Sequence, residues 1–168
     1  MKNAAFYIDH LQLKPHPEGG YYAETYRSSG VIPASASSQF KEDRNYSTAI
    51  YYLLEQGDHS AFHRIKSDEC WHHYAGGTLL IHVLNQDGTY ACIKLGSATD
   101  KGEVFQFVVP ADTWFAAECA EQTSFVLTGC TVAPGFDFAD FEMADKELLL
   151  HEFPEYSSAI IKLCRRNF

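Results

Sequence analysis

A chain of 168 residues with a formal net charge of −9 is long enough to bury one real core, and its acidic balance argues against a nucleic-acid or anionic-membrane partner. Twelve Phe and ten Tyr suit a β-rich interior. No apolar run approaches the ~20 residues of a membrane span, and the opening MKNAAFYIDH lacks the apolar stretch of an export signal. The expectation is therefore a cytoplasmic protein.

In chain order, residues 4–13 (AAFYIDHLQL) carry apolar positions at helical spacing. The segment PHPEGG at 15–20 stops that helix with two prolines and two glycines. YYAETYR at 21–27 is aromatic-rich and predicts a strand. Residues 28–45 form a polar, Ser-rich insertion. Strand patterns then recur at 47–54, 60–65, 69–74, 78–84, 89–95, 104–109, 113–118 and 123–132, with turn residues between most of them. The run Asn85-Gln86-Asp87-Gly88 is the best hairpin signal. Many short strands with regular turns predict a sandwich or barrel. The tail at 139–153 has helical content, and Pro154 opens a second short helix at an N1-like position. There is no repeat and no domain boundary, so 1–168 is expected to be one domain. The cysteines Cys70, Cys92, Cys119, Cys130 and Cys164 are odd in number and form no CxxC. They predict free thiols rather than a disulfide or zinc framework.

Chemistry concentrates in GDHSAFHRIKSDECWHHYAG at 57–76. Five of the eight histidines lie between His59 and His82. If His63 points into a barrel, so does Ile65, because strand side chains alternate. On the next strand Glu69, Trp71 and His73 share one face, while Cys70, His72 and Tyr74 share the other. A carboxyl facing Ile65, Trp71 and Phe115 would lose hydration and hold its proton more tightly. Paired with His63 it would form an acid/base couple. Tyr22, Tyr51, Trp71 and Phe115 are candidates to line a pocket, with His73 on the same predicted wall. Glu24 and Arg27 are candidates to anchor a polar substituent, and Lys66 is a candidate cation. His16, His59, His82 and His151 are expected to be structural or solvated. PHPEGG does not open a helix, which excludes a nucleotide-binding loop.

The spacing Gly57, His63, Ile65, Glu69, Gly76 resembles the first cupin motif, G-x5-H-x-H-x3-E-x6-G, with isoleucine in place of the second histidine. The second motif, P-x-G-x2-H, has its counterpart in Pro110-Ala111-Asp112-Thr113-Trp114-Phe115, with Phe115 where a histidine would stand. Together with PHPEGGYYAETYRS, TAIYYLL and GCTVAPGFDFADFEMAD, these segments resemble the fifth family of the cupin superfamily, a family of unassigned function. The resemblance implies an all-β, double-stranded β-helix (a cupin jelly roll) with short N- and C-terminal helices. It also implies a small-molecule ligand in the barrel, a homodimer, and a fold similar to the dTDP-sugar 3,5-epimerases. A metal would have only His63 and Glu69 as motif ligands, so no cofactor is expected.

Three functions follow as expectations. One is a metal-independent isomerase or epimerase of a sugar-like or cyclic carbonyl substrate, with His63 and Glu69 as acid and base. The second is a non-catalytic ligand-binding module using the same pocket. The third is a metal-dependent cupin with non-standard ligands.

Overall fold

The computed structural model describes residues 2–165. The helix α1 (Ala4–His10) starts at Asn3, whose side chain accepts the Phe6 N–H. Thirteen strands follow: β1 (Lys14–Pro15), β2 (Tyr21–Arg27), β3 (Val31–Ile32), β4 (Arg44–Asn45), β5 (Thr48–Glu55), β6 (His59–Arg64), β7 (Asp68–Gly76), β8 (Leu79–Leu84), β9 (Tyr90–Leu95), β10 (Gln106–Val109), β11 (Trp114–Cys119), β12 (Phe125–Ala133) and β13 (Glu142–Met143). Two helices close the described chain, α2 (Lys146–Glu152) and α3 (Ser157–Leu163).

Two antiparallel sheets form the body. One has the order β1-β2-β5-β12-β7-β10, the other β13-β6-β11-β8-β9. Their facing sides enclose Tyr52, Leu54, Trp71, Ile81, Val83, Leu95, Phe115 and Val126. Alternation assigns each side chain to its layer. On β11, Phe115 and Ala117 enter this core, while Trp114 and Ala116 face the opposite way. That outer surface is covered by the tail, where Leu149, Phe153, Ile160 and Leu163 pack against Phe62 and Trp114. On the other sheet, α1 covers Leu53 and Leu127. The result is a jelly roll whose outer faces are partly shielded by the terminal helices.

Most predicted strands occur within a residue or two of their expected bounds. The hairpin at 85–89 closes with the Asn85 N–H donating to the Thr89 carbonyl. Two regions differ from expectation. The Ser-rich insertion contains the short β3–β4 pair and is held to the tail by buried Arg44, which donates to both oxygens of Asp140. Two-residue strands are too short to show a period. The tail helix is also shorter than 139–153. Its first part includes β13, which pairs with β6 and forms the edge of that sheet. Helix begins only after Asp145, whose carboxylate accepts the Glu147 and Leu148 N–H groups.

The docking of α3 makes a direct prediction. Ile160 is fully buried and Ile161 is 61 % exposed. Ile160→Ala should therefore cost about 2–5 kcal/mol in urea unfolding, while Ile161→Ala stays within about 0.5 kcal/mol. Equal costs would mean that the helix does not pack as described.

Candidate functional site

The site is built where the loop after α1 turns back over β6. The loop is tied at both ends. The His16 N–H donates to the Gly20 carbonyl, and the Ala61 N–H donates to the Glu18 carbonyl. The Gly20 N–H donates to Asp58. Gly19 and Gly20 both have positive φ, +120° and +66°, a region that costs little only for glycine. A Cβ on Gly19 would also collide with the His59 carbonyl. Two adjacent glycines therefore let the backbone lie close enough to bury Glu18, which is 5 % exposed.

Three groups meet the Glu18 carboxylate. Ser60 Oγ donates to Oε1 at 2.9 Å. His63 Nε2 lies 3.1 Å from Oε2, and His16 Nδ1 lies 3.6 Å from the same oxygen. Ser60 and His63 are three residues apart, which in a regular strand would put them on opposite faces. The β6–β11 ladder shifts register here, Phe115 pairing with His63 and Ala117 with Ser60. The extra β6 residue lets both side chains reach Glu18. His63 Nδ1 is 2.8 Å from the Ala61 carbonyl. A carbonyl only accepts, so Nδ1 carries a proton. The contact between Nε2 and Oε2 is then a hydrogen bond when one further proton is shared between His63 and Glu18. The ring itself is wedged between Phe115, at 4.1 Å, and Phe141, at 5.3 Å between centroids.

These groups open on a cavity of about 280 Å³, which also reaches Tyr22, Glu24, Arg27, Ile65, Glu69 and Cys130. Glu69 is 8 % exposed. Burial, with the charge of Glu18 adding, pushes its carboxyl up to about 8. Its side-chain partner is the Cys130 thiol, whose own ionisation burial pushes well up. His16 is shifted the other way, since burial of its ring lowers its affinity for a proton.

Of the residues expected from sequence, His63, Glu69, Tyr22, Glu24 and Arg27 line this cavity. The rest lie elsewhere. Trp71 and Phe115 are fully buried in the core between the sheets, with Phe115 supporting His63 from behind. Tyr51 faces the other way, into an outer groove with Tyr7 and Tyr74. His73 Nε2 donates to the Gly77 carbonyl at the far end of β7. His73 keeps the regular β7–β12 register that runs from Glu69, but it lies four residues along the strand, about 13 Å away. Lys66 bonds the Gln39 carbonyl outside the cavity. His63 pairs with Glu18, where the cupin spacing pointed to Glu69.

The sequence reading missed Glu18 and His16. Its only usable signal was the glycine pair, which marks a close backbone approach as well as a turn. Phe136, Asp137 and Phe138 also line the mouth, and no local pattern brings them there.

The cupin fold commonly holds a metal, but the residues present here do not fit one. Ile65 and Phe115 occupy the two ligand positions, and both His63 nitrogens already face oxygen partners. Among the described residues, no three His, Cys, Asp or Glu side chains are grouped to hold an ion.

Comparison with known proteins agrees with this architecture. The family model described as the cupin superfamily (DUF985) matches residues 5–144. An uncharacterised Saccharomyces cerevisiae protein, YML079W, is 34% identical over 143 residues, covering 79% of this chain and 71% of the yeast protein. The crystal structure of the Shewanella oneidensis protein SO0799 is similar at 37% identity and a TM-score of 0.89, covering 99% of this chain and 100% of that one. Oxalate decarboxylase from Bacillus subtilis shares the fold at 14% identity and a TM-score of 0.55, over 91% of this chain and 37% of that one.

The raised Glu69 carboxyl predicts a pH effect on stability. An unfolded glutamate loses its proton near 4.5, whereas the folded one keeps it to about 8. The folded state then binds more protons than the unfolded state between these values, so stability falls as pH rises through this window. The cost is up to about 1.4 kcal/mol per pH unit. Glu69→Gln, which cannot ionise, should show a Tm advantage over the parent that grows from pH 5 to pH 8 and then levels. A pH-independent difference would place Glu69 in a well-hydrated environment instead.

Proposed function

This chain belongs to the DUF985 family of the cupin superfamily, and we propose that its barrel cavity binds a small carbonyl compound and moves a proton on it, as an isomerase or epimerase does. One observation carries this reading. Two carboxyl groups held in opposite ways face a single cavity, Glu18 as an acceptor by Ser60 and His63, and Glu69 as a protonated acid at neutral pH. Environments that separate two titratable groups in this way suit paired acid and base roles.

In this reading Glu18 presents the base. Both His63 nitrogens are engaged, so His63 acts through Glu18 as the holder of the shared proton. Glu18 takes the proton from the carbon beside the substrate carbonyl. Glu69 donates a hydrogen bond to the carbonyl oxygen, where negative charge develops, in a site with little water to compete. The electron pair of the broken C–H bond moves into the enolate. An epimer forms when water protonates the enolate carbon from the other face and Glu18 releases its proton to solvent. In an α-hydroxycarbonyl compound, Glu69 gives its proton to the carbonyl oxygen and takes the one released by the neighbouring hydroxyl, and Glu18 returns its proton to the former carbonyl carbon, which gives the isomer. Ser60 and Tyr52 are positioning residues. Tyr52 donates to the Gly19 carbonyl at 2.7 Å and fixes the loop that carries Glu18. The apolar neighbours Ile50, Ile65 and Val132 keep the reacting groups poorly hydrated.

The test is proton exchange into D2O, followed by NMR on cyclohexanone, 2-hydroxycyclohexanone, glucose and fructose. A turned-over compound should lose its exchange by about 100-fold or more in His63→Ala, Glu18→Gln and Glu69→Gln. Ser60→Ala should retain more activity than any of the three. Full activity in the His63 and Glu69 variants would remove the assignment.

A further inference from the structure

The lining of the cavity is rich in carboxyl groups. It contains four carboxyl residues, Glu18, Glu24, Glu69 and Asp137, of which Glu69 holds its proton, and one permanent cation, Arg27. That cation is already committed. Arg27 Nε and Nη2 donate to the two oxygens of Glu24, at 3.0 and 2.7 Å. Its Nη1 donates to Asn45 Oδ1 and to the Phe136 carbonyl. Four of the roughly five donors of a guanidinium are thereby spent. Lys66 is tied to Gln39 outside the lining, and Arg44 is tied to Asp140. Burial lowers the affinity of the His16 ring for a proton. The one permanent cation of the described lining is therefore not free to meet a phosphate or carboxylate.

The opposite charge is provided for. Asp137 Oδ1 accepts the Ala139 N–H, and its second oxygen has no hydrogen-bond partner among the described residues. On either side of it stand Phe136 and Phe138, whose ring centroids are 5.0 Å apart in an edge-on pair. Phe138 stacks on His16 at 6.0 Å, and His16 meets Tyr22 edge-on at 4.6 Å. These rings form an aromatic collar around the mouth, and aromatic faces attract cations. Deeper in, Glu69 is 8 % exposed and lines the cavity, with only a thiol against its carboxyl. It is a buried polar group still short of an oxygen or nitrogen partner, which a ligand would supply. At about 280 Å³ the cavity suits a molecule with a single small ring.

We propose that the ligand of this cavity is a small organic ammonium compound, with its cationic head among Phe136, Asp137 and Phe138 and its polar body turned inward to Glu69. This rests on the reading that the barrel cavity is the substrate site. It removes sugar nucleotides and organic acids from the substrate class and leaves amino-substituted carbonyl compounds.

The test uses three probes of equal size, benzylamine, benzyl alcohol and benzoate, titrated at pH 7 into the full chain by calorimetry and ligand-observed NMR. Benzylamine, as its ammonium ion, should bind about tenfold tighter than benzyl alcohol, and benzoate should not bind at the same concentration. Asp137→Asn keeps the capping oxygen for Ala139, so the fold should persist. In that variant the preference for the ammonium ion should shrink to about threefold or less, with benzyl alcohol unchanged. Phe138→Ala should weaken benzylamine at least threefold. Benzoate binding as tightly as benzylamine would overturn the proposal, as would no preference for benzylamine over the alcohol, an unaltered preference in Asp137→Asn, or no binding by any probe. Ammonium selectivity without proton exchange on any carbonyl compound would retain the ligand class and reject the reaction. Proton exchange on an anionic carbonyl compound would reject the ligand class and retain the reaction.

Discussion

The site depends on two residues without side chains. Gly19 and Gly20 take backbone conformations that other residues strain to adopt, and the first lies directly against the His59 carbonyl. Their compactness lets the loop sink far enough for the Tyr52 hydroxyl to reach the Gly19 carbonyl and for Ser60 and His63 to reach Glu18. A side chain at either position would lift the loop by about the width of a methyl group. Glu18 would then lose hydrogen bonds that act over only a few tenths of an ångström. The chemistry of the cavity is thus set by how closely one backbone can approach another.

The loss of the second cupin histidine takes on a different meaning beside that loop. Phe115 is the cross-strand partner of His63, and its ring packs against the imidazole at 4.1 Å. Ile65 is buried in the same cavity wall. These groups dehydrate the neighbourhood, and dehydration is what raises the Glu69 carboxyl. At the two positions where a metal cage would have its ligands, this barrel has apolar side chains.

Much of the fold was legible because alternation and turn residues are local. The strands from β5 to β12 and the 85–88 hairpin were visible in short windows of sequence, and the cupin spacing put His63 and Glu69 in one cavity before any geometry was known. Three kinds of feature were not legible. The contact between Ser60 and Glu18 spans 42 positions, beyond any periodic signal. The register shift in β6 changes which face a residue takes without marking the sequence; it put Ser60 beside His63. Tyr51 was legible as an aromatic strand residue but not as an outward one, because both faces of its sheet are covered and both accept apolar side chains.

Arg44 and Asp140 lie 96 positions apart, yet each is almost wholly buried by the other's segment. They join the Ser-rich insertion to the strip of chain that carries Phe136, Asp137 and Phe138. Removing either partner alone would strand a charge away from water, whereas removing both together would not. Evolution of the cavity mouth is therefore constrained as a unit. The insertion and the 136–140 strip cannot drift independently, so a relative that takes a different ligand should have rewritten both segments together while leaving the barrel strands alone.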